Sequence, residues 1–193
     1  LTTIDSRLTT NYYFRSMSTT QPSVKGIIQA KKNLEGISEV TPLKLNQILS
    51  DETGAKVFLK REDLQAVRSY KIRGAYNFIS QLSAVEKKQG VVCSSAGNHA
   101  QGFAYSCNLL KIKGIVFMPT PTPKQKVEAV RRVGKNYIEI VLSGDTYDDA
   151  KSAALKYVHH HNKIFVPPFD HKLIVEGQGT VGLEVLEQMG KKK

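Results

Sequence analysis

The sequence predicts an α/β protein in which parallel sheets are covered by helices on both faces. Two observations carry this prediction: apolar runs of strand length alternate with stretches of helical period, and the connections between them are short. This alternation is typical of parallel strands joined by helical crossovers. Ligands of such sheets bind beyond the carboxyl ends of the strands, so the loops that lead into helices are where we look for a functional site.

Short apolar runs rich in Val, Ile and Phe predict the strands, because these residues fit a pleated, buried surface. Proline ends two of them, at Pro119 and Pro167, since it cannot continue a sheet ladder. The predicted strands cover residues 57–60, 91–93, 114–118, 137–142 and 163–166.

Helical periodicity over 69–82 and 98–110 predicts the first two helices. A third is predicted to open with Thr122 as its N-cap and Pro123 at its first position. A fourth is predicted to begin at Asp145, with Asp148 three residues later as in a capping box.

A glycine run at residues 177–182 has the spacing of a dinucleotide-binding loop. The preceding residues 173–176 could form a strand, but the second strand and the acidic residue of that motif do not follow. We therefore favour glycines that let a helix or turn pack closely against a neighbour.

Three consecutive histidines, 159–161, suggest a metal site, but on a helix their side chains point about 100° apart. They are interpreted as a solvated helix end. Cys93 and Cys107 are too few for a disulfide framework and lack metal-ligand spacing, so each is predicted to pack as a small apolar residue in a reducing compartment. No metal is expected.

The net charge of +11, from 28 Lys and Arg against 17 Asp and Glu, raises nucleic acid as a partner. The charge is spread along the chain, with only the terminal lysines 191–193 clustered, and there is no Trp. A solvated basic surface is favoured over a nucleic-acid site. No run of 18 apolar residues occurs, so no membrane partner is expected.

The segment 94–102 lies between a predicted strand and a predicted helix, where backbone N–H groups can cradle an anion. Gly97 gives backbone freedom at the turn, and the amide of Asn98 can both donate and accept a hydrogen bond. A simple helix cap is the alternative.

Lys71 stands at the start of a predicted helix among largely uncharged neighbours. A helix N-terminus disfavours an ammonium and lowers its pKa, and a deprotonated lysine amine is a nucleophile for carbonyls. An ordinary surface lysine is the alternative for this residue taken alone.

Four segments of the chain occur in a characteristic order: KREDLQ at 60–65, SYKIRGAYN at 69–77, SAGNHAQG at 95–102, and PFD at 168–170 followed by GQGT at 177–180. Together they resemble the threonine dehydratase (threonine ammonia-lyase) family of pyridoxal-phosphate enzymes, which has the tryptophan synthase β-like fold. The resemblance covers 60–187 and assigns the glycine run to a helix near the active site.

The resemblance implies that Lys71 is both the Schiff-base lysine of pyridoxal 5′-phosphate and the general base for the substrate Cα proton. It places Asn98 against the ring hydroxyl of the cofactor and Tyr70 packing near the cofactor. The implied reaction converts L-threonine to 2-oxobutanoate and ammonia, the first step of isoleucine biosynthesis. The substrate carboxylate would be bound by backbone N–H groups of Ser95, Ala96, Gly97, Asn98, His99 and Ala100.

The tetraglycine loop and the pyridine-nitrogen ligand of the family do not occur before Lys193. We therefore expect an incomplete catalytic domain that binds the cofactor weakly when alone, and a full-length parent that forms a homo-oligomer. Residues 25–90 and 169–193 would belong to the large cofactor-binding domain, and 91–168 to a small α/β domain. Residues 1–24 would be a disordered extension, within which 1–21 could be a transit peptide; otherwise a cytoplasmic location is expected.

Other interpretations of the function of this sequence remain open. Serine racemase and serine dehydratase share most of these motifs, so threonine and serine are not distinguished as substrates. The chain could instead be a catalytically incomplete truncation that pairs with a full-length relative. A basic nucleic-acid-binding module is the remotest alternative.

Overall fold

The computed structural model describes residues 21–190 of the chain. The predicted N-terminal extension falls outside the described residues up to residue 20, as do the terminal lysines. Near the carboxyl end of this predicted extension, Ser23 Oγ accepts a hydrogen bond from the Gly26 N–H at 3.0 Å and caps the first helix. Among residues 21–190, no helix has both the length and the apolar character needed to cross a bilayer.

Strands and helices alternate through most of the described chain. The strands are β1 (Leu43–Leu45), β2 (Phe58–Lys60), β3 (Val91–Ser94), β4 (Gly114–Met118), β5 (Ile138–Leu142) and β6 (Ile164–Phe165). The α-helices are α1 (Val24–Asn33), α2 (Gln47–Thr53), α3 (Lys71–Ser80), α4 (Ala84–Gln89), α5 (Asn98–Leu110), α6 (Lys124–Gly134), α7 (Tyr147–His161) and α8 (Lys172–Gly190), with 3₁₀ turns at Glu62–Leu64 and Lys135–Tyr137.

Four strands form a parallel sheet in the order β5-β4-β3-β6. The central strand β3 is buried along its whole length, which explains its continuous apolar sequence. Phe103 and Val130 pack with one face of the sheet, while Ala154 and Val158 pack with the other. The predicted α/β architecture with helices on both faces is confirmed.

The predicted strand at 57–60 lies outside the parallel sheet. As β2 it pairs antiparallel with β1, with Leu43 opposite Lys60. The chain between the two strands contains only the short helix α2, which ends at Gly54 in the left-handed conformation (φ 67°). The connection turns the chain back on itself, so β2 runs antiparallel to β1.

The start of α6 differs from prediction by one residue. Pro123 is the N-cap, with no side-chain capping bond, and the helix begins at Lys124. The Thr122 hydroxyl donates instead to the carbonyl of Pro119 at 2.7 Å, so it closes the preceding turn rather than capping the helix.

The start of α7 is also shifted by one residue. The capping box is formed by Thr146 and Asp149, not by Asp145 and Asp148. The carboxylate of Asp149 accepts from the N–H groups of both Asp145 and Thr146, which places Asp145 before the helix. The histidines 159–161 form the last turn of α7, as predicted.

Residues 173–176, which could have formed a strand, lie inside helix α8. The glycine run that follows packs α8 against α3, as favoured from sequence. A Cβ on Gly177 would lie 2.5 Å from the carbonyl oxygen of Arg73, and one on Gly74 would lie 2.9 Å from that of Ile174. Both glycines are therefore required for the backbones of the two helices to approach this closely.

We predict that Gly177→Ala lowers the free energy of unfolding by about 1–3 kcal/mol, because its Cβ overlaps the backbone of α3. Gly182→Ala is the matched control on the same helix, since its Cβ would meet nothing within 4 Å and alanine favours helix. Urea unfolding of both variants checks this. Equal effects of the two substitutions would contradict the close packing of α3 on α8.

Candidate active site

Lys71 is the first residue of α3, and its side chain reaches toward the carboxyl edge of the parallel sheet. Its backbone N–H donates to Ser69 Oγ at 3.1 Å, and its Nζ donates to the carbonyl oxygen of Pro168, which follows β6, at 2.9 Å. Burial lowers the pKa of the Lys71 amine below its usual value. Lys71 is thus a partly buried amine held by a backbone carbonyl.

Tyr70 adjoins this amine. Lys71 Nζ lies 5.4 Å from the centre of the Tyr70 ring, within the range of a cation–π contact. Tyr70 is 40% exposed, so part of the residue remains accessible. The position is compatible with the predicted packing of Tyr70 near a cofactor, which stays a prediction.

The helix that carries Lys71 is anchored by Arg73, whose side chain is only 1% exposed. Its guanidinium binds the Glu62 carboxylate at 2.9 Å and the Glu184 carboxylate at 2.6 Å, and donates to Thr180 Oγ1 at 3.1 Å. Lys60 forms a further ion pair with Glu184. Charges from β2, the 62–64 turn, α3 and α8 therefore meet in one buried network.

The network lowers the pKa of one of its acids, Glu62. Although burial acts to raise it, hydrogen bonds from Arg73 and from Thr41 hold the pKa of Glu62 below its usual value. Lys60, Glu62 and Arg73 lie in two motifs recognised from sequence, but their mutual pairing and the part of Glu184 were not predicted. The sequence carried no signal for this pairing, because the burial of these charges is visible only in the structure.

Helix α5 approaches the backbone of Lys71 closely. A Cβ on Gly102 would lie 2.9 Å from the Ile72 nitrogen and 3.0 Å from the Lys71 carbonyl oxygen. The glycine therefore lets the first turns of α3 and α5 lie side by side. This contact brings the segment 95–102 to Lys71, as the two motifs together suggested.

Two backbone N–H groups of the loop before α5 already have hydrogen-bond partners within the protein. The Ser95 N–H donates to the Phe117 carbonyl at 3.1 Å, and the Gly97 N–H donates to Ser95 Oγ at 3.2 Å. The first helical bond is that of Gln101 to the Gly97 carbonyl. The N–H groups of Asn98, His99 and Ala100 thus have no partner within the helix.

The loop also leaves room for a ligand. A Cβ on Gly97 would meet nothing within 4 Å, and the Asn98 side chain is exposed. Unpaired N–H groups at a helix N-terminus favour an anion. The geometry can therefore accept a carboxylate at residues 98–100, whereas the N–H of Ser95 is already used in the sheet.

His99 is buried beside Lys71. Its Nε2 lies 3.2 Å from the carbonyl oxygen of Val166, and its Nδ1 is buried without a partner among residues 21–190. Burial, opposed by the bond to Val166 and supported by the positive charge of Lys71, lowers the pKa of His99 to about 4. Sequence reasoning considered only the backbone of this residue and gave its side chain no role.

A lysine amine at the carboxyl edge of a parallel sheet, beside an open helix N-terminus, is an arrangement typical of α/β enzymes, whose ligand sites lie at the strand ends. The family model of pyridoxal-phosphate dependent enzymes matches residues 35–193, and the chain belongs to this family. The expected cofactor is therefore that of the family.

Relatives agree with this assignment. The chain is 51% identical over 166 residues to the biosynthetic L-threonine dehydratase of Halalkalibacterium halodurans, covering 86% of this chain and 40% of the relative. The same enzyme of Mycobacterium tuberculosis is 52% identical over 163 residues, covering 84% and 38%. The chain spans about two fifths of the length of these relatives.

Solved structures share the fold. The processed form of threonine deaminase isoform 2 from Solanum lycopersicum superposes with a TM-score of 0.78 at 38% identity, covering 90% of this chain and 48% of that one. Maize serine racemase superposes with a TM-score of 0.83 at 29% identity, covering 89% and 51%. The fold is therefore that of pyridoxal-phosphate enzymes acting on amino acids.

We predict that Arg73→Met lowers the free energy of unfolding by about 3–5 kcal/mol, because it leaves the carboxylates of Glu62 and Glu184 without this buried partner. Arg61→Met is the control in the same signature, since Arg61 pairs with Asp63 at the surface. It is expected to leave urea unfolding nearly unchanged. A small loss in Arg73→Met would show that the network does not anchor α3.

We predict that the free energy of unfolding falls as the pH drops from 6.5 to 4. His99 binds its proton more weakly in the folded chain, so the unfolded chain takes up more protons in this window and is favoured. The contribution of His99 lost between pH 7 and pH 4 is on the order of 3 kcal/mol for a pKa of about 4. Urea unfolding at both pH values, with His99→Gln as the non-titrating control, measures it; parallel pH curves for the two proteins would contradict it.

Proposed function

We propose that the protein to which this chain belongs is a pyridoxal 5′-phosphate-dependent threonine ammonia-lyase, which converts L-threonine to 2-oxobutanoate and ammonia. One observation carries the proposal: the partly buried Lys71 amine, with its pKa lowered by burial, lies beside the open N-terminus of α5. The resemblance to threonine dehydratases over most of the chain supports threonine as the substrate.

The residues present fit the cofactor. Lys71 offers an amine of lowered pKa for its aldehyde, Tyr70 a partly exposed aromatic side chain, and Asn98 an exposed amide for its ring hydroxyl. The open space at Gly97 leaves room beside them. When bound, pyridoxal phosphate supplies electron withdrawal from the substrate Cα.

We assign the Lys71 amine the proton transfer at the substrate Cα. A general base works best when its pKa lies near the working pH, and burial shifts Lys71 in that direction. The Pro168 carbonyl accepts one N–H of the amine at 2.9 Å and so restricts its orientation. A fixed orientation reduces the entropy lost on the way to proton transfer.

We assign substrate binding to the loop before α5. In this proposal the N–H groups of Asn98, His99 and Ala100 bind the substrate carboxylate, and Ala96 and Gly97 form the open edge of the loop; the absence of a helical partner for these N–H groups and the open space at Gly97 support it. Ser95 contributes by holding the loop, because its Oγ accepts from the Gly97 N–H. Binding the carboxylate there would position Cα near Lys71.

A small amino acid is the partner in this proposal, with neither nucleic acid nor membrane involved, and the location is cytoplasmic. The division into a large and a small domain, and a homo-oligomeric parent, remain predictions. Exposed apolar side chains in the described chain are compatible with contacts to further protein surface; Ile48, Val85 and Leu186 are each 71% exposed.

We predict that Lys71→Ala abolishes cofactor attachment and lowers threonine turnover by about a thousandfold or more, because it removes both the imine-forming amine and the base. The measurements are borohydride trapping with pyridoxal phosphate, located by peptide mass spectrometry, and 2-oxobutanoate release. Lys163→Ala is the control, since the Lys163 amine bonds the Gln89 carbonyl at the amino end of β6. Cofactor trapped on another lysine, with turnover retained in Lys71→Ala, would refute the assignment.

The same assays separate threonine from serine. The proposed function requires a higher kcat/KM for deamination of L-threonine than of L-serine, with no inversion of serine. A protein that interconverts the serine enantiomers faster than it deaminates threonine would be a racemase instead.

A further inference from the structure

His99 makes a side-chain contact that the proposed function does not use. It lies in the first turn of α5, is 3% exposed, and its Nε2 lies 3.2 Å from the Val166 carbonyl oxygen. A carbonyl can only accept, so this nitrogen carries the proton and donates it. In the neutral ring, Nδ1 is then the unprotonated nitrogen, and it is the one that is buried without a partner among residues 21–190.

An unpartnered buried acceptor is unfavourable for folding, and an apolar side chain at this position would avoid it. Packing alone therefore does not explain why a histidine occupies this position. What the ring gains is a single donated bond to the segment that follows β6.

That segment, residues 166–168, has few ways to be held in place. Val166 is fully buried, and its N–H donates to the Val92 carbonyl at 2.8 Å. Pro167 and Pro168 have no N–H at all, so beyond Val166 only carbonyl groups are available. His99 holds the carbonyl of Val166, and Lys71 Nζ donates to that of Pro168 at 2.9 Å.

We propose that His99 is a positioning residue for Lys71: its Nε2–H fixes the segment 166–168 and thereby the Pro168 carbonyl that orients the Lys71 amine. The orientation is a property of this chain. Only its use in catalysis rests on the proposed function.

The neutral state of the ring is part of this arrangement. A protonated His99 would place a second positive charge near Lys71, and both the burial of the ring and that charge oppose it. With the ring neutral, the Pro168 carbonyl is left as the polar group that contacts the amine, and it favours the ammonium form. Loosening this carbonyl should therefore lower the pKa of Lys71 further.

The test compares His99→Gln, whose amide nitrogen can replace Nε2–H, with His99→Met, which has similar size and no donor. The rate at which an acylating reagent labels Lys71 is followed against pH by peptide mass spectrometry, in the chain without cofactor. We expect His99→Met to lower the labelling midpoint by about half a pH unit, which is about a threefold rise in neutral amine below the midpoint. His99→Gln should keep the midpoint close to that of the unaltered chain.

A merely structural role would lower the melting temperature of His99→Met and leave the Lys71 midpoint in place, and this result overturns the proposal. A midpoint shifted equally by Gln and Met overturns it as well. If neither variant folds, ¹⁵N NMR of the unaltered chain decides: an Nε2–H tautomer at neutral pH is required, and an Nδ1–H tautomer contradicts it. Because no cofactor is used, failure here is distinct from failure of the borohydride trapping test.

Discussion

The site depends on the buried ion pairs of the Arg73 guanidinium with Glu62 and Glu184. A charge that is 1% exposed is tolerated only with partners, and its partners lie on two other segments, Glu62 before α3 and Glu184 in the second half of α8. The three segments must therefore stay together for any of these charges to remain buried. Lys71, two residues before Arg73 at the start of α3, is positioned by the same requirement.

Two glycine contacts complete the placement of α3. Gly177 brings α8 against the Arg73 carbonyl, and Gly102 brings α5 against the Lys71 carbonyl. Neither position has space for a Cβ, so the helix is held on two sides by backbone contact rather than by adaptable side chains. The main chain at Lys71 is thus fixed, and only the direction of its side chain is left for the Pro168 carbonyl to determine.

The sequence was sufficient to predict the bounds of those elements whose apolar periodicity and terminal residues indicate the same limits. Strand β4 and helix α5 match their predicted bounds, because Pro119 ends one and the loop at residues 95–97 precedes the other. The missed elements α2, α4 and β1 are too short to show a periodic apolar signal. Helix α1 does show one, since Ile27, Ala30 and Leu34 recur at helical spacing, and it could have been predicted. Residues 173–176 were open to a strand as well as a helix, because a short apolar run has the same pattern in both; the structure places them in α8, in agreement with the helix or turn favoured from sequence.

The predictable part of the site was local, namely Lys71 and the loop before α5. What could not be predicted were pairs distant in sequence: Arg73 with Glu184, 111 residues apart, and His99 with Val166, 67 residues apart. Their effect is to hold the Lys71 amine at intermediate burial. Full burial would leave an ammonium without compensation, whereas full exposure would leave its pKa at the ordinary value. The Pro168 carbonyl favours the ammonium and burial disfavours it; since the pKa is lowered, burial has the larger effect, and the amine loses its proton more readily than a surface lysine.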